Sequence, residues 1–580
     1  MSHPRARPTR RVWLPAFFFG AFALVICARL LQLQVIEHDS YAARAKAELS
    51  GSQTIFARRG AILDRNGALL ATSVETWDIY VNSRSWRDAG AAAAASAELG
   101  KLLKIDPARL RALVGGSELV DVPVRKDVDY ETGLEIIGKG LAGVIALPNT
   151  GRVNPEGDVA ASVLGFIGTD NTGLAGIEAA YNDVLQGKPG KAIYERDTSG
   201  EPIPYGRYVA TEPRPGEDIV LTIDRYLQQM AEERLEAAIK EHRAIGGSII
   251  MMDPATGEIL ALATSPGLKY SSLNLDDPQV VELLRNRAVT DLYEPGSVMK
   301  IITAAAAIDA GAVSPDTTYY DSGIALIYDV PIKNWDDNVY GEQTMTGVLQ
   351  NSINTGAIFM MQALEAKEPG AFQRYLDAFG FGKPTGIDLQ GEATGIIRRE
   401  TDSDFSPVDL ATQSFGQSIS VTPIQMLTAV AAAINGGNVM RPHLAKAYIA
   451  QDGTRREVRP EVVGRAISAE TSATVRAMLN KVVEPEQNIH PGNPKFYTAG
   501  GKSGTANVPV PNGYDDTQIA SFVGFAPLDE PEILVLVKLD ENQDGLTGTA
   551  AAAPVFASLA DDALRYLNIR PDKGAYVSQR

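Results

Sequence analysis

The N-terminal segment of this chain can be stable in only one environment. Arg5, Arg7, Arg10 and Arg11 come first, and an uncharged apolar run follows from Val12 to Ala28. Inside a bilayer such a run must satisfy its own backbone, so it is helical. Seventeen residues sit at the short limit for a span, but Arg29 can snorkel and Leu30 to Ile36 extend the helix. We expect a transmembrane helix over residues 12–36 and a cytoplasmic tail over 1–11, because basic residues stay on the cytoplasmic side. The remaining chain then lies outside the cytoplasm, anchored once in the cell (inner, or cytoplasmic) membrane. The competing reading is a cleaved signal peptide. Against it, the run is longer than a usual signal core and no small-residue cleavage pattern follows.

A net charge of −17 argues against nucleic acid as a partner. The single cysteine, Cys27, permits no internal disulfide and no cysteine-bound zinc. The five histidines are scattered, with no His-x-x-x-His pair, so no metal or cofactor is expected. A length of 580 residues predicts more than one domain.

Beyond the anchor, Asn66-Gly67 between Ile62-Leu63 and Leu69-Leu70 signals a hairpin. Residues 88–114 are alanine-rich and helical in pattern. A glycine-dense stretch from Gly151 to Gly187 predicts loops, and residues 188–216 a connector. From Asp218 onward, strands are expected at 219–223, 247–252 and 259–264, with a helix capped by Asp224 among them. A largely helical middle follows. Strands at 499–506, 519–526 and 533–539 and a helix near 551–567 end the domain. This order predicts an α+β fold: one antiparallel sheet flanked by helices.

The middle region holds Glu294-Pro295-Gly296-Ser297-Val298-Met299-Lys300. Pro295 and Gly296 mark a turn, and Val298, Ile301, Ile302, Ala305 and Ile308 then recur at helical spacing. Ser297 and Lys300 therefore share a helix face. A serine hydroxyl needs a base to become a nucleophile. A lysine can be that base only when neutral, which requires its pKa to fall about three units, or about 4 kcal/mol. Burial, the helix dipole or a second cation can supply that shift. Ser352-Ile353-Asn354 and Lys502-Ser503-Gly504-Thr505 follow in order, and the three motifs together form the signature of penicillin-recognising serine enzymes. A helix cap and a turn are the plain structural accounts of Ser352 and Asn354. Gly501-Lys502-Ser503 is not a phosphate loop, because Phe496 stands where that loop needs glycine.

With Tyr293 to Lys300 and the two later motifs, the chain closely resembles the class B, monofunctional penicillin-binding proteins. Arg59 to Gly67 and Arg152 to Gly190 resemble motifs of that family's pedestal (dimerisation-type) domain, with Asn154 where tyrosine is usual. The resemblance implies a pedestal over 37–205, a penicillin-binding, serine β-lactamase-like transpeptidase domain over 206–570 and a tail over 571–580. It implies a D,D-transpeptidase acting on peptidoglycan stem peptides. Asn354, where the elongation branch has aspartate, resembles the division and sporulation branch. A lipid-linked-sugar polymerase and other division membrane proteins are the partners it implies.

In that resemblance Ser297 attacks the penultimate D-alanyl carbonyl and Lys300 takes its proton. Ser352 relays a proton to the leaving amine, and Asn354 holds the donor's amide. Lys502 keeps Lys300 neutral and, with Ser503 and Thr505, attracts the substrate carboxylate. Gly504 lets the substrate backbone approach. The backbone N–H groups of Ser297 and Thr505 form an oxyanion hole. A β-lactamase, a carboxypeptidase, a β-lactam receptor and an inactive division scaffold are the rival readings. The pedestal disfavours the first, the short N-terminal tail disfavours the receptor, and intact Ser297, Lys300 and Lys502 disfavour the scaffold. Two further expectations follow: residues 50–205 fold separately from the chemistry, and 507–518 form a long loop that closes over a bound peptide. Packing in the core or at the rim is the plain account of Trp335 and Tyr514, with a place in the cleft lining the alternative.

Overall fold

The computed structural model describes residues 13–195, 209–274, 277, 280–485, 490–510 and 513–573. The expected cytoplasmic tail lies outside these residues, as do the last seven. Contacts divide the chain into two units: Met1–Arg58, Glu75–Gly151 and Lys188–Arg214 form one, and Arg59–Val74, Arg152–Gly187 and Pro215–Arg580 the other.

In the first unit, a continuous helical segment Trp13–Ile36 has a mean hydropathy of 2.1 and is not buried in the protein. Phe17, Phe18, Phe19 and Phe22 all stand exposed along it. Aromatic side chains left bare on a helix of this length fit lipid as their solvent, and among the described residues this is the one helix long and apolar enough to cross a membrane. The alanine-rich stretch resolves into two helices, Ala89–Leu103 and Pro107–Gly115, each capped by an aspartate, Asp88 and Asp106. They pack with the helix Tyr130–Lys139 around a small core of Ile79, Val81, Leu99, Leu110, Val122 and Ile136.

In the second unit, Ile249-Ile250-Met251-Met252 is buried throughout, as a strand covered on both faces must be. It lies in a five-stranded antiparallel sheet, ordered Ile259–Ser265, Gly246–Met252, Ile533–Asn542, Gly513–Ala526, Gly500–Val510. Alternate side chains point to opposite faces. Ile249, Met251, Val535 and Phe522 meet the helices Arg225–His242 and Ala553–Tyr566. Ile250, Met252, Leu534 and Leu536 meet a larger core containing the helices Lys300–Asp309 and Pro423–Ile434. The α+β expectation holds.

Two expectations differ from the structure. The 507–518 segment is not a long loop. The strands Gly500–Val510 and Gly513–Ala526 continue through it, pairing Asn507 with Gln518 and Val510 with Gly513. Only 511–512 separate them, and these lie outside the described residues, as do the side chains of 509–516, including Tyr514. Pro509 is tolerated because Gly500–Val510 is the edge strand, where sheets accommodate proline.

The contacts also cut across the 205/206 boundary. Ile62, Leu70, Ala71, Val163, Leu164, Ile177 and Leu185 are buried in the same core as Ile219, Leu221 and Ile259. Ile62 pairs in register with Ile219. Arg59 is buried beside Glu178, with Nε 2.5 Å from Oε2, and Arg152 Nε is 2.7 Å from Oε1. Arg59 also donates to the carbonyls of Asn171 and Glu178. One carboxylate thus holds two buried guanidinium groups, and the stretches that resemble pedestal motifs form part of the catalytic unit's interior.

A chain beginning at Glu212 is therefore expected to aggregate or remain unfolded, having lost the core residues of 59–74 and 152–187. Replacing 75–151 by a short flexible linker should instead preserve the second unit, since Thr76 and Gly151 lie side by side. Circular dichroism and penicillin labelling of the two variants would check this. Glu178→Ala should destabilise the protein by about 3–5 kcal/mol, because it strands two buried cations.

Candidate active site

The turn before Ser297 is fixed from three sides. Tyr293 exchanges backbone hydrogen bonds with Val421, and Gly296 N donates to Gly416 O at 3.1 Å. Gly296 has φ +54°, and a Cβ there would lie 2.8 Å from Thr505 O. Glycine is thus required both by the backbone angle and by the strand that passes beside it. A short 3-10 turn over Gly296–Met299 leads into the helix Lys300–Asp309.

Lys300 is fully buried on the first turn of that helix. Its Nζ lies 3.0 Å from Ser297 Oγ, 2.6 Å from Ser352 O, 2.8 Å from Asn354 Oδ1 and 3.3 Å from Ser352 Oγ. Asn354 Nδ2 donates to Lys333 O, which turns its Oδ1 toward the lysine. Ser352 O and Asn354 Oδ1 can only accept, so they take two N–H bonds from Lys300. A neutral amine then has one lone pair left, facing the Ser297 hydroxyl. Burial first, and the charge of Lys502 second, drive the Lys300 pKa well below the ordinary lysine value.

Ser352 is not a helix cap. It sits between the helices Met345–Gln350 and Asn354–Lys367, and the residue at the cap position is Ile353. Its φ of +56° is a strained angle for a side-chain-bearing residue. The strain turns Oγ between two lysines, 3.3 Å from Lys300 Nζ and 3.0 Å from Lys502 Nζ. Lys502 is itself buried, which lowers its pKa to about 7.

Further along the edge strand, Ser503 Oγ accepts from Thr549 Oγ1 at 2.9 Å and Thr505 Oγ1 accepts from Gly548 N at 3.1 Å. With their acceptor sites engaged, both hydroxyls keep a proton to donate. Together with the Lys502 ammonium they form an anion receptor. Gly504 differs from its expected role. A Cβ there would lie 2.6 Å from Pro295 O and 2.5 Å from Ser521 Oγ. It is glycine so that the strand can lie against the nucleophile's turn, not to admit substrate.

Ser297, Ser352, Asn354, Lys502, Ser503 and Thr505 line one cleft of about 780 Å³, with Trp335 at its rim. Sequence reasoning missed the support behind Asn354. Asn334, itself buried, accepts from the backbone N–H groups of Asn354 and Thr355 and donates to Asp321. Asp321 also accepts from Thr355 Oγ1 and the backbone of Gly323 and Tyr340. Thr549 and His490, which lines the cleft beside Lys502, were missed as well. None of these lies in a motif, so no sequence signal marked them.

The penicillin-binding protein transpeptidase domain family matches residues 247–561, and the penicillin-binding protein dimerisation domain family matches 54–221. This chain is a class B penicillin-binding protein. It belongs to the division and sporulation branch. Stage V sporulation protein D of Bacillus subtilis is 34% identical over 97% of this chain and 87% of its own length. Peptidoglycan D,D-transpeptidase FtsI of Escherichia coli is 30% identical over 97% of this chain and 93% of its own. The crystal structure of penicillin-binding protein 2X from Streptococcus thermophilus superposes with a TM-score of 0.74 at 26% identity, over 89% of this chain and 80% of that one.

The buried lysines of this penicillin-binding protein carry a stability cost. An unfolded lysine has a pKa of about 10.4. Between about 7 and that value the unfolded chain binds more protons than Lys502 does in the fold, so stability rises with pH across this window. Below about 7 the cost is present in full. Lys502→Met should raise stability at pH 7 by on the order of 1–4 kcal/mol and flatten the slope above it. Denaturant titrations at pH 6, 8 and 10 would check this, and a less stable variant with an unchanged slope would contradict it.

Proposed function

We propose that this chain is a serine-type peptidoglycan D,D-transpeptidase that cross-links stem peptides through an acyl-enzyme on Ser297, in cell-wall synthesis at the division septum. The observation that carries the reading is Lys300: fully buried, 3.0 Å from Ser297 Oγ, its other close partners a backbone carbonyl and an amide oxygen that accept its N–H groups.

The stem peptide lies along the outer edge of Gly500–Val510, where an edge strand leaves backbone groups unpaired. Its terminal carboxylate meets Lys502, Ser503 and Thr505. Ser297 Oγ attacks the penultimate carbonyl while Lys300 Nζ takes the hydroxyl proton. The oxyanion faces the N–H groups of Ser297 and Thr505. The C–N bond to the terminal D-alanine breaks, and Ser352 Oγ passes the proton from Lys300 to the departing amine. Asn354 holds the donor amide and fixes Lys300. An incoming amine then attacks the ester and restores Ser297.

The four N-terminal arginines support an orientation with the N-terminus in the cytoplasm and the catalytic unit outside. A membrane polymerase of lipid-linked sugars and other division proteins are the partners that the family resemblance suggests.

Incubation with labelled penicillin followed by mass analysis tests the reading. A stable adduct on Ser297 is expected; rapid turnover would favour a β-lactamase, and no adduct an inactive scaffold. Ser297→Ala should lose the adduct, and Lys300→Arg should slow acylation about 10²–10⁴-fold, since a guanidinium stays charged. The acylation rate constant with a carboxylate-bearing penicillin should fall as pH rises above about 7, where Lys502 loses its proton. A penicillin amide lacking that carboxylate should not show this limb. An identical limb for both would place the titrating group elsewhere.

A further inference from the structure

Beside the catalytic cleft lies a second groove of about 1040 Å³, and the two share Gln350, Asn351, Val482 and His490. The groove runs along two helices, Met345–Gln350 and Ala469–Val483. Gln350 Nε2 ties them by donating to Lys481 O at 2.9 Å. Thr474, Ala477, Met478 and Lys481 form one continuous face of the second helix, so the wall mixes hydroxyl, apolar and cationic groups, with Asp316 opposite. Such a surface suits a peptide that carries both an amine and carboxylates.

His490 stands at the junction. Its Nδ1 accepts from Gly492 N at 3.0 Å, and its ring centroid is 6.0 Å from that of Phe522. Burial first, then the charge of Lys502, lower its pKa to about 4, so the imidazole is neutral at physiological pH. With Nδ1 accepting, its one proton is on Nε2. That N–H has no partner among the described residues.

The chemistry places the incoming amine close to this groove. The departing amine takes its proton from Ser352 Oγ. By microscopic reversibility the incoming amine returns a proton to the same group. The incoming amine therefore ends beside Ser352, next to Asn351, which the groove and the cleft share.

We propose that this groove binds the acceptor stem peptide, the amine-bearing second substrate, and that the Nε2–H of His490 positions it at the groove's mouth. The acceptor nitrogen forms a bond to the acyl carbon and the bond from that carbon to Ser297 Oγ breaks. The amine's proton passes through Ser352 Oγ and Lys300 Nζ to Ser297 Oγ, so atoms and charge balance. His490 moves no proton; it is a positioning residue. The proposal rests on the transpeptidase reading.

The test uses the full chain in detergent, a thioester of an N-acylated D-alanyl donor, and a peptide with a free side-chain amine as acceptor. The measured quantity is the ratio of amide product to hydrolysis product. His490→Ala should lower that ratio about tenfold, the scale of one lost hydrogen bond. His490→Gln, which keeps a donor at the same reach, should recover most of it. Ala477→Trp fills the groove from an exposed helix position, so it should fold and also lower the ratio. A wild-type ratio in both His490→Ala and Ala477→Trp overturns the proposal. So does a fall in acylation rate with the ratio unchanged, since His490 would then act on the donor. A wild-type enzyme that only hydrolyses the thioester with every acceptor overturns the transpeptidase reading itself, and the proposal with it.

Discussion

A primary amine buried with no counter-ion among the described residues is what the catalytic unit is built around. Lys300 Nζ has four oxygen neighbours, and none of them belongs to a carboxylate. An ammonium ion placed there would lack its water and meet a second lysine, so the amine is the favoured form. The same contacts that disfavour the charge direct the lone pair at Ser297. Any aspartate within reach would pin the proton on Lys300 and remove the base. The buried carboxylate behind Asn354, Asp321, is kept one layer back. It is occupied by Asn334, Thr355 and two backbone N–H groups, and reaches Asn354 only through Asn334.

That layering explains the local strain. Ser352 adopts a left-handed backbone angle that costs of order 1 kcal/mol or more, and it gains no cap or core contact in return. Its carbonyl and its hydroxyl both face Lys300, and the hydroxyl also reaches Lys502. An unstrained residue there would point one of these groups away and leave a lysine N–H without an acceptor. Likewise Gly296 and Gly504 give up side chains so that the turn carrying the nucleophile and the strand carrying Lys502 can touch. Stability is conceded at several positions to hold two amines and two hydroxyls within hydrogen-bond reach.

The sequence made one layer of this legible. Ser297, Lys300, Ser352, Asn354 and Lys502 are visible because their chemistry forces residue type and local spacing together. The strands at 247–252, 259–264 and 533–539 are visible because burial on both faces leaves continuous apolar runs. The support layer is invisible for the converse reason. Asn334 and Asp321 act through long-range contacts, and an asparagine that caps a helix twenty residues away has no local pattern. The 507–518 segment misled because two prolines, a glycine and two aspartates break a strand pattern when taken alone. At an edge strand, proline is allowed and Asn-Gly is a hairpin signal. Gly504 misled in a different way: glycine in a strand marks a close approach, but only the fold tells what approaches.

The division of the chain has a consequence for how the catalytic unit assembles. Its core needs residues 59–74 and 152–187 as well as everything after 215. Arg59 reaches Glu178 across 119 positions, Ala61 reaches Asp218 across 157, and Tyr181 reaches Asp388 across 207. Asp224, the cap of Arg225–His242, waits for Tyr566, 342 residues later. Each such pairing closes a long loop before it is rewarded, which slows folding. The central sheet cannot form until Gly500–Val510, Gly513–Ala526 and Ile533–Asn542 exist, since three of its five strands come from the last eighty-odd residues. Until then the strand Gly246–Met252 has an unpaired edge where Ile533–Asn542 will lie. The buried amines add to the difficulty, because their desolvation is opposed only when the whole core closes around them. Lys300 owes its lowered pKa first to burial in the closed core and second to the neighbouring Lys502, so the base belongs to the fully packed unit.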